Sequence, residues 1–468
     1  MDCDTIAGIA SGMGGGIGII RISGNDALRI AGEVFRTKKF AEQQTEEKWS
    51  SDYFEKKESH TIQYGYIVND DNVVLDEVMV LLMKNPKSYT CEDVVEIDSH
   101  GGPFIVKKIL ELLIHHGARL AEPGEFTKRA FLNGRIDLAQ AEAVMKMISS
   151  KSEFALDSAV KQLEGRVSKY IEEIRQEILY NMGYIESALD DPEHYDLDGF
   201  AEKLQKTTEE EISKLQQLMD NFENGRMKSE GINTVIIGKP NAGKSSLMNL
   251  LLDEERAIVT NIAGTTRDIL EETVNIGNIV LNLVDTAGIH DTEDIVEHLG
   301  VEKAKEYLNQ ADFIIYVVDA SVPLDESDMQ IMELLSEKRG VILLNKSDLD
   351  SVVLEKELQK KINWNCITFS SKTADGLSKL ENYITNSFLD GNISFNDQIY
   401  LTSIRHLEAV ESACHSLQQL LQTIEDGMTE DLFIIDMMDA YKKLGLINGE
   451  TASEDLVNKI FKEFCMGK

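Results

Sequence analysis

Proline is scarce in this 468-residue chain, six in all. Nowhere do about 18 apolar residues run without a break, so no membrane span is expected. The five cysteines, Cys3, Cys91, Cys366, Cys414 and Cys465, are odd in number, scattered and without CxxC spacing. That pattern excludes a disulfide framework and a zinc site and points to a reducing compartment. Positive charge is the other deficit, with 47 Lys and Arg against 82 Asp and Glu, a net charge of -35. So acidic a surface repels phosphate backbones, which argues against stable DNA binding and against any broad nucleic-acid-binding face. RNA contact is then expected from a local basic patch or through a partner protein. Lys107-Lys108 and Lys128-Arg129 are the local candidates, with a solvated helix face as the plainer reading of each. The start, Met1-Asp2-Cys3-Asp4, lacks a positive n-region, and six glycines interrupt the stretch from Gly8 to Gly18. A signal peptide is therefore not expected, and the chain reads as soluble and cytoplasmic.

What is present is ordinary globular composition, 42% hydrophobic and 28% charged, over a length that suits two to four domains. Residues 1–125 mix β-branched runs (Ile17 to Ile22, Val73 to Met83, Val94 to Ile97) with a helical run from Pro103 to His115, an α+β pattern. Residues 126–229 carry apolar positions at three- and four-residue steps, among them Val167, Ile171, Ile174, Ile178, Met182 and Ile185. A second such run, Phe200 to Phe222, carries Leu204, Leu215, Leu218 and Phe222 as its packing stripe. From Gly231 the pattern changes to short buried-strand runs (Thr234 to Ile237, Ile279 to Val284, Phe313 to Val318, Val341 to Leu344, Cys366 to Phe369) alternating with helices. Residues 230–390 thus predict a doubly wound parallel α/β sheet. Residues 391–468 return to amphipathic helix. The expected whole is a multidomain α/β protein whose α/β domain is inserted into a discontinuous all-α bundle.

Gly238-Lys239-Pro240-Asn241-Ala242-Gly243-Lys244-Ser245 fits GxxxxGK[ST] and falls between a predicted strand and a helix, the context a phosphate-binding P-loop needs. Its backbone amides would cradle phosphates at the positive end of the helix, with Lys244 reaching the β- and γ-phosphates and Ser245 binding magnesium. Asp285-Thr286-Ala287-Gly288 follows a strand, placing an aspartate for magnesium and an amide for the γ-phosphate. Asn345-Lys346-Ser347-Asp348 resembles the NKxD element of GTP-binding proteins, in which the aspartate accepts from guanine. Ser370-Ser371-Lys372 resembles their SAK element. Between the first two lies Gly264-Thr265-Thr266-Arg267-Asp268, which resembles switch I; spacing leaves open which threonine binds magnesium. The position that often carries a water-orienting glutamine is Ile289, so hydrolysis needs another group. Asp291, Glu293, Asp294 and Glu297 are nearby acids, and a bound cation is the other option. The nucleotide set is Asn241, Ala242, Gly243, Lys244, Ser245 and Ser246; Thr260, Asn261, Ile262, Ala263, Gly264, Thr265 and Thr266; Asp285, Thr286, Ala287 and Gly288; Asn345, Lys346 and Asp348; and Ser370, Ser371 and Lys372.

The run Phe126 to Ala143 (FTKRAFLNGRIDLAQAEA) closely resembles a segment of the bacterial and organellar tRNA modification GTPase family called MnmE or TrmE. Asp4-Thr5-Ile6-Ala7, Ile20-Arg21-Ile22-Ser23-Gly24, His100-Gly101-Gly102-Pro103 and the closing Cys465-Met466-Gly467-Lys468 resemble it too. The resemblance implies an N-terminal folate-binding, dimerising domain, and a homodimer acting with a flavin-dependent MnmG/GidA-type partner. It implies transfer of an aminomethyl-type group to carbon 5 of wobble uridine in tRNA, with 5,10-methylene- or 5-formyl-tetrahydrofolate as donor. Carried over residue by residue, it places folate contacts at Arg21, Glu96, Arg135 and Lys468, and potassium ligands at Asn241, Thr260, Ile262 and Thr265. It favours Thr266 with Ser245 for magnesium, Glu297 as the catalytic acid beside Lys244, and Cys465 as a catalytic thiol. Two departures stand out. Arg135 replaces a frequent lysine, changing the hydrogen-bonding fork, and Ala10-Ser11 replaces a usual Thr-Pro ahead of a glycine-rich loop. Without the resemblance, Arg21 and Glu96 read as ordinary surface charge. Two other readings share the G-motifs: a ribosome-assembly GTPase, disfavoured by the acidic C-terminal helices, and a GTP-gated scaffold with little turnover, disfavoured by intact Lys244, Ser245 and Asp285.

Overall fold

The structure is a computed structural model describing residues 4–42, 49–252, 271–276, 279–284, 308, 311–335, 338–353, 355–359, 361–389, 400–462, 464 and 467. It divides into two compact units, 1–145 with 162–212 and 408–468, and 146–161 with 213–407. Among the described residues no helix is long and apolar enough to cross a membrane.

The first unit is built on a seven-stranded sheet. Its strands are β1 (Ile6–Ile9), β2 (Ile17–Ser23), β3 (Phe35–Thr37), β4 (Thr61–Val68), β5 (Val74–Met83), β6 (Val94–His100) and β7 (Arg119–Leu120), in the order β3-β4-β5-β6-β2-β1-β7. All neighbours are antiparallel except β1 and β7. The alternation of the strands decides which face is covered. Ile20, Ile22, Val78, Val80, Leu82, Val95 and Ile97 are buried in one core with Ile30, Val34, Ile109 and Leu113 of helices Ala27–Val34 and Pro103–His115. Arg21 and Glu96 lie on the other face, directly opposite each other in register. The helix Pro103–His115 begins as its sequence requires, with proline in its first turn, where a missing N–H leaves nothing unpaired.

The periodic stretch after residue 138 is three helices, Leu138–Ser149, Glu153–Leu163 and Arg166–Asp190. The last buries Val167, Ile171, Ile174, Ile178, Met182 and Ile185 along one stripe and packs on helix Glu430–Asn448. Arg175, 1% exposed, fixes that pairing: it donates to Glu172 and Glu450 and lies 4.3 Å from the Tyr441 ring centroid. These partners lie on opposite sides, in sequence, of the second unit's α/β segment. Leu204, Leu215, Leu218 and Phe222 are buried, as their stripe predicts.

The basic pairs proposed for RNA contact do not form a free patch. Arg129 bonds Asp4, Glu92 and Glu125, and Lys128 donates to Asn458 Oδ1 at 2.7 Å. Lys107 and Lys108 pair with Glu111 one turn along an exposed helix face. Local acids pair Arg129, Lys107 and Lys108, as the chain's acidic excess favours, and Lys128 is held by a neutral amide.

The second unit holds a six-stranded sheet: β8 (Ile232–Ile237), β9 (Glu271–Ile276), β10 (Ile279–Val284), β11 (Phe313–Asp319), β12 (Gly340–Asn345) and β13 (Asn365–Thr368), ordered β13-β12-β11-β8-β10-β9. The expected all-parallel sheet needs one correction. The edge strand β9 runs antiparallel to β10, as a hairpin the sequence reading missed. Glu272 is exposed ahead of buried Val274 and Ile276, and such charge is how exposed sheet edges are protected. The five remaining strands are parallel, and the apolar cores lie on both faces.

Candidate functional site, a phosphate loop beside a base-reading loop

β8 ends at Ile237, and the chain turns at once through Gly238 to Gly243 into helix Lys244–Leu251. Two glycines are dictated by close approach. A Cβ on Gly238 would stand 2.3 Å from the Val317 carbonyl oxygen of β11. One on Gly243, whose φ is +102°, would stand 2.1 Å from Asn345 Nδ2. Lys244, the first residue of the helix, folds back and donates from Nζ to the carbonyls of Gly238 at 2.7 Å and Lys239 at 2.8 Å. Asn241 is exposed with φ +61°, and its side chain has no hydrogen-bond partner among the described residues. It does not cap the loop.

The opposite wall comes from the ends of β12 and β13. Asn345, fully buried, donates from Nδ2 to the Ala242 carbonyl at 2.6 Å and accepts the Ser371 amide at 2.9 Å. It therefore clamps the phosphate loop to the loop after β13 from behind. Ser370, also fully buried, donates to Asp348 Oδ1 at 2.8 Å and so aims that exposed carboxylate. Lys346 donates to Asp319 at the end of β11. Burial pushes the Asp319 carboxyl up, but bonds from Lys346 and from the Ser321 hydroxyl and amide outweigh it and hold the group below the usual carboxylate range.

Between these walls lies a cavity of about 500 Å³, lined by Asn241, Gly243, Lys244, Ser245, Ser246, Lys346, Asp348, Leu349, Ser371 and Lys372. That volume is the scale of a small-molecule site. Elements separated by roughly a hundred residues in sequence meet there at the carboxyl ends of parallel strands, where ligands of α/β sheets bind. Leu349 belongs to no motif, yet it supplies an apolar surface beside Asp348. The only signal for it was its adjacency to the motif. Ala242, Asn345 and Ser370 sit behind the wall and shape it. Thr260, Asn261, Ile262, Ala263, Gly264, Thr265, Thr266, Asp285, Thr286, Ala287, Gly288 and Glu297 lie outside the described residues.

In the first unit a separate cluster gathers three of the four folate candidates. Arg21 Nε donates to Glu96 Oε1 at 2.7 Å, and its guanidinium lies 5.4 Å from the Tyr89 ring centroid and 5.5 Å from that of Phe126. Arg135 donates to the Tyr89 carbonyl at 3.0 Å and lies 4.7 Å from the same ring. Two cations thus flank one aromatic ring, with a carboxylate beside them. Gly467, next to the last residue, packs on the adjoining strand: a Cβ there would meet the Ile9 carbonyl oxygen at 1.9 Å. Since Gly8 pairs with Arg21, the chain's end returns to this cluster. Cys465 and Lys468 lie outside the described residues.

Family models match both parts of the chain, the GTP-binding protein TrmE N-terminus over residues 5–135 and the MnmE helical domain over residues 138–465. A tRNA modification GTPase MnmE from Lachnoclostridium phytofermentans is 52% identical over 100% of both chains. One from Acetivibrio thermocellus is 47% identical over 99% of both. Among solved structures, the G domain of a T. maritima FeoB iron transporter is 27% identical over 34% of this chain and 99% of its own, with a TM-score of 0.27, which adds nothing to the sheet topology above. Full-length identity at this level and two family models that between them span the chain leave one conclusion: it belongs to the MnmE (TrmE) family of tRNA modification GTPases.

Proposed function

We propose that the chain is a cytoplasmic, homodimeric GTP-hydrolysing enzyme of tRNA modification. With a flavin-dependent partner of the MnmG/GidA type it adds a carboxymethylaminomethyl-type group to carbon 5 of wobble uridine, using a tetrahydrofolate one-carbon donor. The observation that carries the nucleotide half is the single cavity onto which the phosphate loop, Asp348 and the Ser371-Lys372 loop all open. Asp348 accepts from the guanine N1–H and exocyclic amine, whereas adenine offers an acceptor at the first position. Lys244 leaves the Gly238 and Lys239 carbonyls for the β- and γ-phosphates, and the amides at the start of its helix face the same oxygens.

Ser245 lines the cavity next to Lys244, where its hydroxyl suits a magnesium ion, with Thr266 as the second protein ligand. Asn241, whose side-chain oxygen has no partner among the described residues and lies at the cavity, suits potassium together with Thr260, Ile262 and Thr265. Bound there, the two cations supply positive charge to the phosphoryl oxygens as negative charge develops on them. Glu297 orients the attacking water in place of the glutamine missing at Ile289. The Arg21–Glu96–Tyr89–Arg135 cluster, with Lys468, offers cations, a carboxylate and a ring face, which suits the charged heteroaromatic folate. Cys465 serves the modification chemistry at that end of the chain.

Nucleotide selection is the direct test. Asp348→Asn exchanges an acceptor for a donor and should weaken GTP binding by about 2–4 kcal/mol while favouring xanthosine triphosphate. Titration of both nucleotides into wild type and variant checks it. Unchanged GTP affinity removes Asp348 from the site.

A further inference from the structure

Lys239, the second residue of the phosphate loop, stands outside the phosphate-binding pattern, yet it is the most elaborately held residue in the loop. Its Nζ lies 2.6 Å from Asp328 Oδ2 and 2.8 Å from Asp325 Oδ2. The two carboxylates differ in kind. The Asp325 side chain is 57% exposed, whereas that of Asp328 is 2% exposed. Asp328 is fixed on every side: Oδ1 accepts the hydroxyl of Tyr316, itself fully buried on β11, at 3.0 Å, and Oδ2 accepts the Asp325 amide at 3.0 Å. The Asp328 amide returns a bond to Asp325 Oδ1 at 3.2 Å, a reciprocal cap at the start of helix Glu326–Leu335. A cap alone needs no buried carboxylate, since a neutral side chain serves as well. The buried charge is accounted for by its cation, which belongs to the phosphate loop.

The consequence lies at Lys244. Among its resting partners are the carbonyls of Gly238 and Lys239, the leading half of the loop. When Lys244 turns to phosphate, that half loses both of those bonds and keeps the Ala242 amide on the Lys239 carbonyl at 3.3 Å, while the trailing half keeps the Asn345 bond to Ala242. The Tyr316–Asp328–Lys239 chain then holds the Lys239 side chain to β11, beside the backbone pairing of β8 with β11 that ends at Ile237. It also keeps Lys239 turned to two carboxylates, so that the loop presents one movable lysine to the nucleotide. We infer that Asp328 is a positioning residue of the nucleotide site, holding the leading half of the phosphate loop through Lys239 while Lys244 exchanges loop carbonyls for phosphate. This rests on the GTP reading above.

The experiment is steady-state GTP hydrolysis and thermal unfolding of the full chain as wild type, Lys239→Met, Lys239→Arg, Asp328→Asn and the Lys239→Met/Asp328→Asn double variant. Lys239→Met and Asp328→Asn should each raise KM for GTP about tenfold, as losing a bond to a charged group does, with kcat within about threefold. The double variant should be no worse than the poorer single one, because both cut the same tether. Lys239→Arg should stay near wild type. If Lys239 merely lends positive charge to the site, Asp328→Asn frees that charge and lowers KM, which overturns the inference. If the network only supports the fold, melting temperatures fall with KM unchanged, which overturns it too. Should Asp328→Asn fail to fold, Lys239→Met, which leaves the cap intact, decides alone. A raised KM that persists in about 0.5 M salt supports a tether, and one that disappears there marks simple charge attraction. Absence of GTP turnover in the wild type would instead refute the GTP reading.

Discussion

Asn241 shows what a residue's type and its surroundings settle separately. The motif supplies an asparagine in a phosphate loop, and asparagine readily bonds nearby backbone. In the structure it makes no such bond among the described residues, and it lines the cavity. We propose it as a cation ligand. GTP hydrolysis should therefore be faster in potassium than in sodium at equal ionic strength, because the smaller ion fits the same oxygens poorly. A cation there takes the role that an arginine finger plays elsewhere, where the finger contributes roughly 10³–10⁵ in rate. Asn241→Ala should lose most of the potassium stimulation. Equal rates of the wild type in both salts would remove the cation, and stimulation surviving in Asn241→Ala would remove this ligand. Asn345, which its motif makes a nucleotide contact, is also fully buried and bonded to Ala242 and Ser371, a tie between two loops that the motif does not announce. Arg21 and Glu96 read as ordinary surface charge until register placed them opposite each other, because cross-strand pairing joins residues 75 positions apart.

At the scale of elements, the helices and parallel strands were legible because burial writes a period into the sequence. Helix Pro103–His115 and strand β10 match the runs read for them residue for residue. What escaped was β9, whose edge position leaves it charged at one end, and the breaks that divide one periodic stretch into three helices. The turn between β8 and its following helix is where a single element fixes the site. Gly243→Ala puts a methyl against Asn345 and holds a non-glycine residue at φ +102°. The left-handed backbone alone costs about 1–2 kcal/mol, and displacing Asn345 unties the two loops. Nucleotide affinity should fall at least about tenfold while the melting temperature moves by only a few degrees. Fluorescent-nucleotide titration beside thermal unfolding measures both. Undiminished affinity would show that the Asn345 clamp is dispensable.

For the molecule as a whole, two units carry two different chemistries: a nucleotide cavity in one and a cationic, aromatic cluster near the returning C-terminus in the other. The G-motifs made the first legible from sequence because phosphate and guanine impose fixed residue types at strand ends. The second was legible only by resemblance, since two arginines, a glutamate and a tyrosine have no spacing of their own and are assembled by the sheet. We propose that GTP turnover at the first site serves tRNA modification. Mass spectrometry of tRNA nucleosides from cells lacking this gene, complemented with wild type or with Lys244→Ala, tests it most directly. Wobble uridines should lack their carbon-5 substituent in the deletion, and the wild type should restore it while Lys244→Ala should not. Wobble uridines fully modified in the deletion, or restored equally by both, would contradict it.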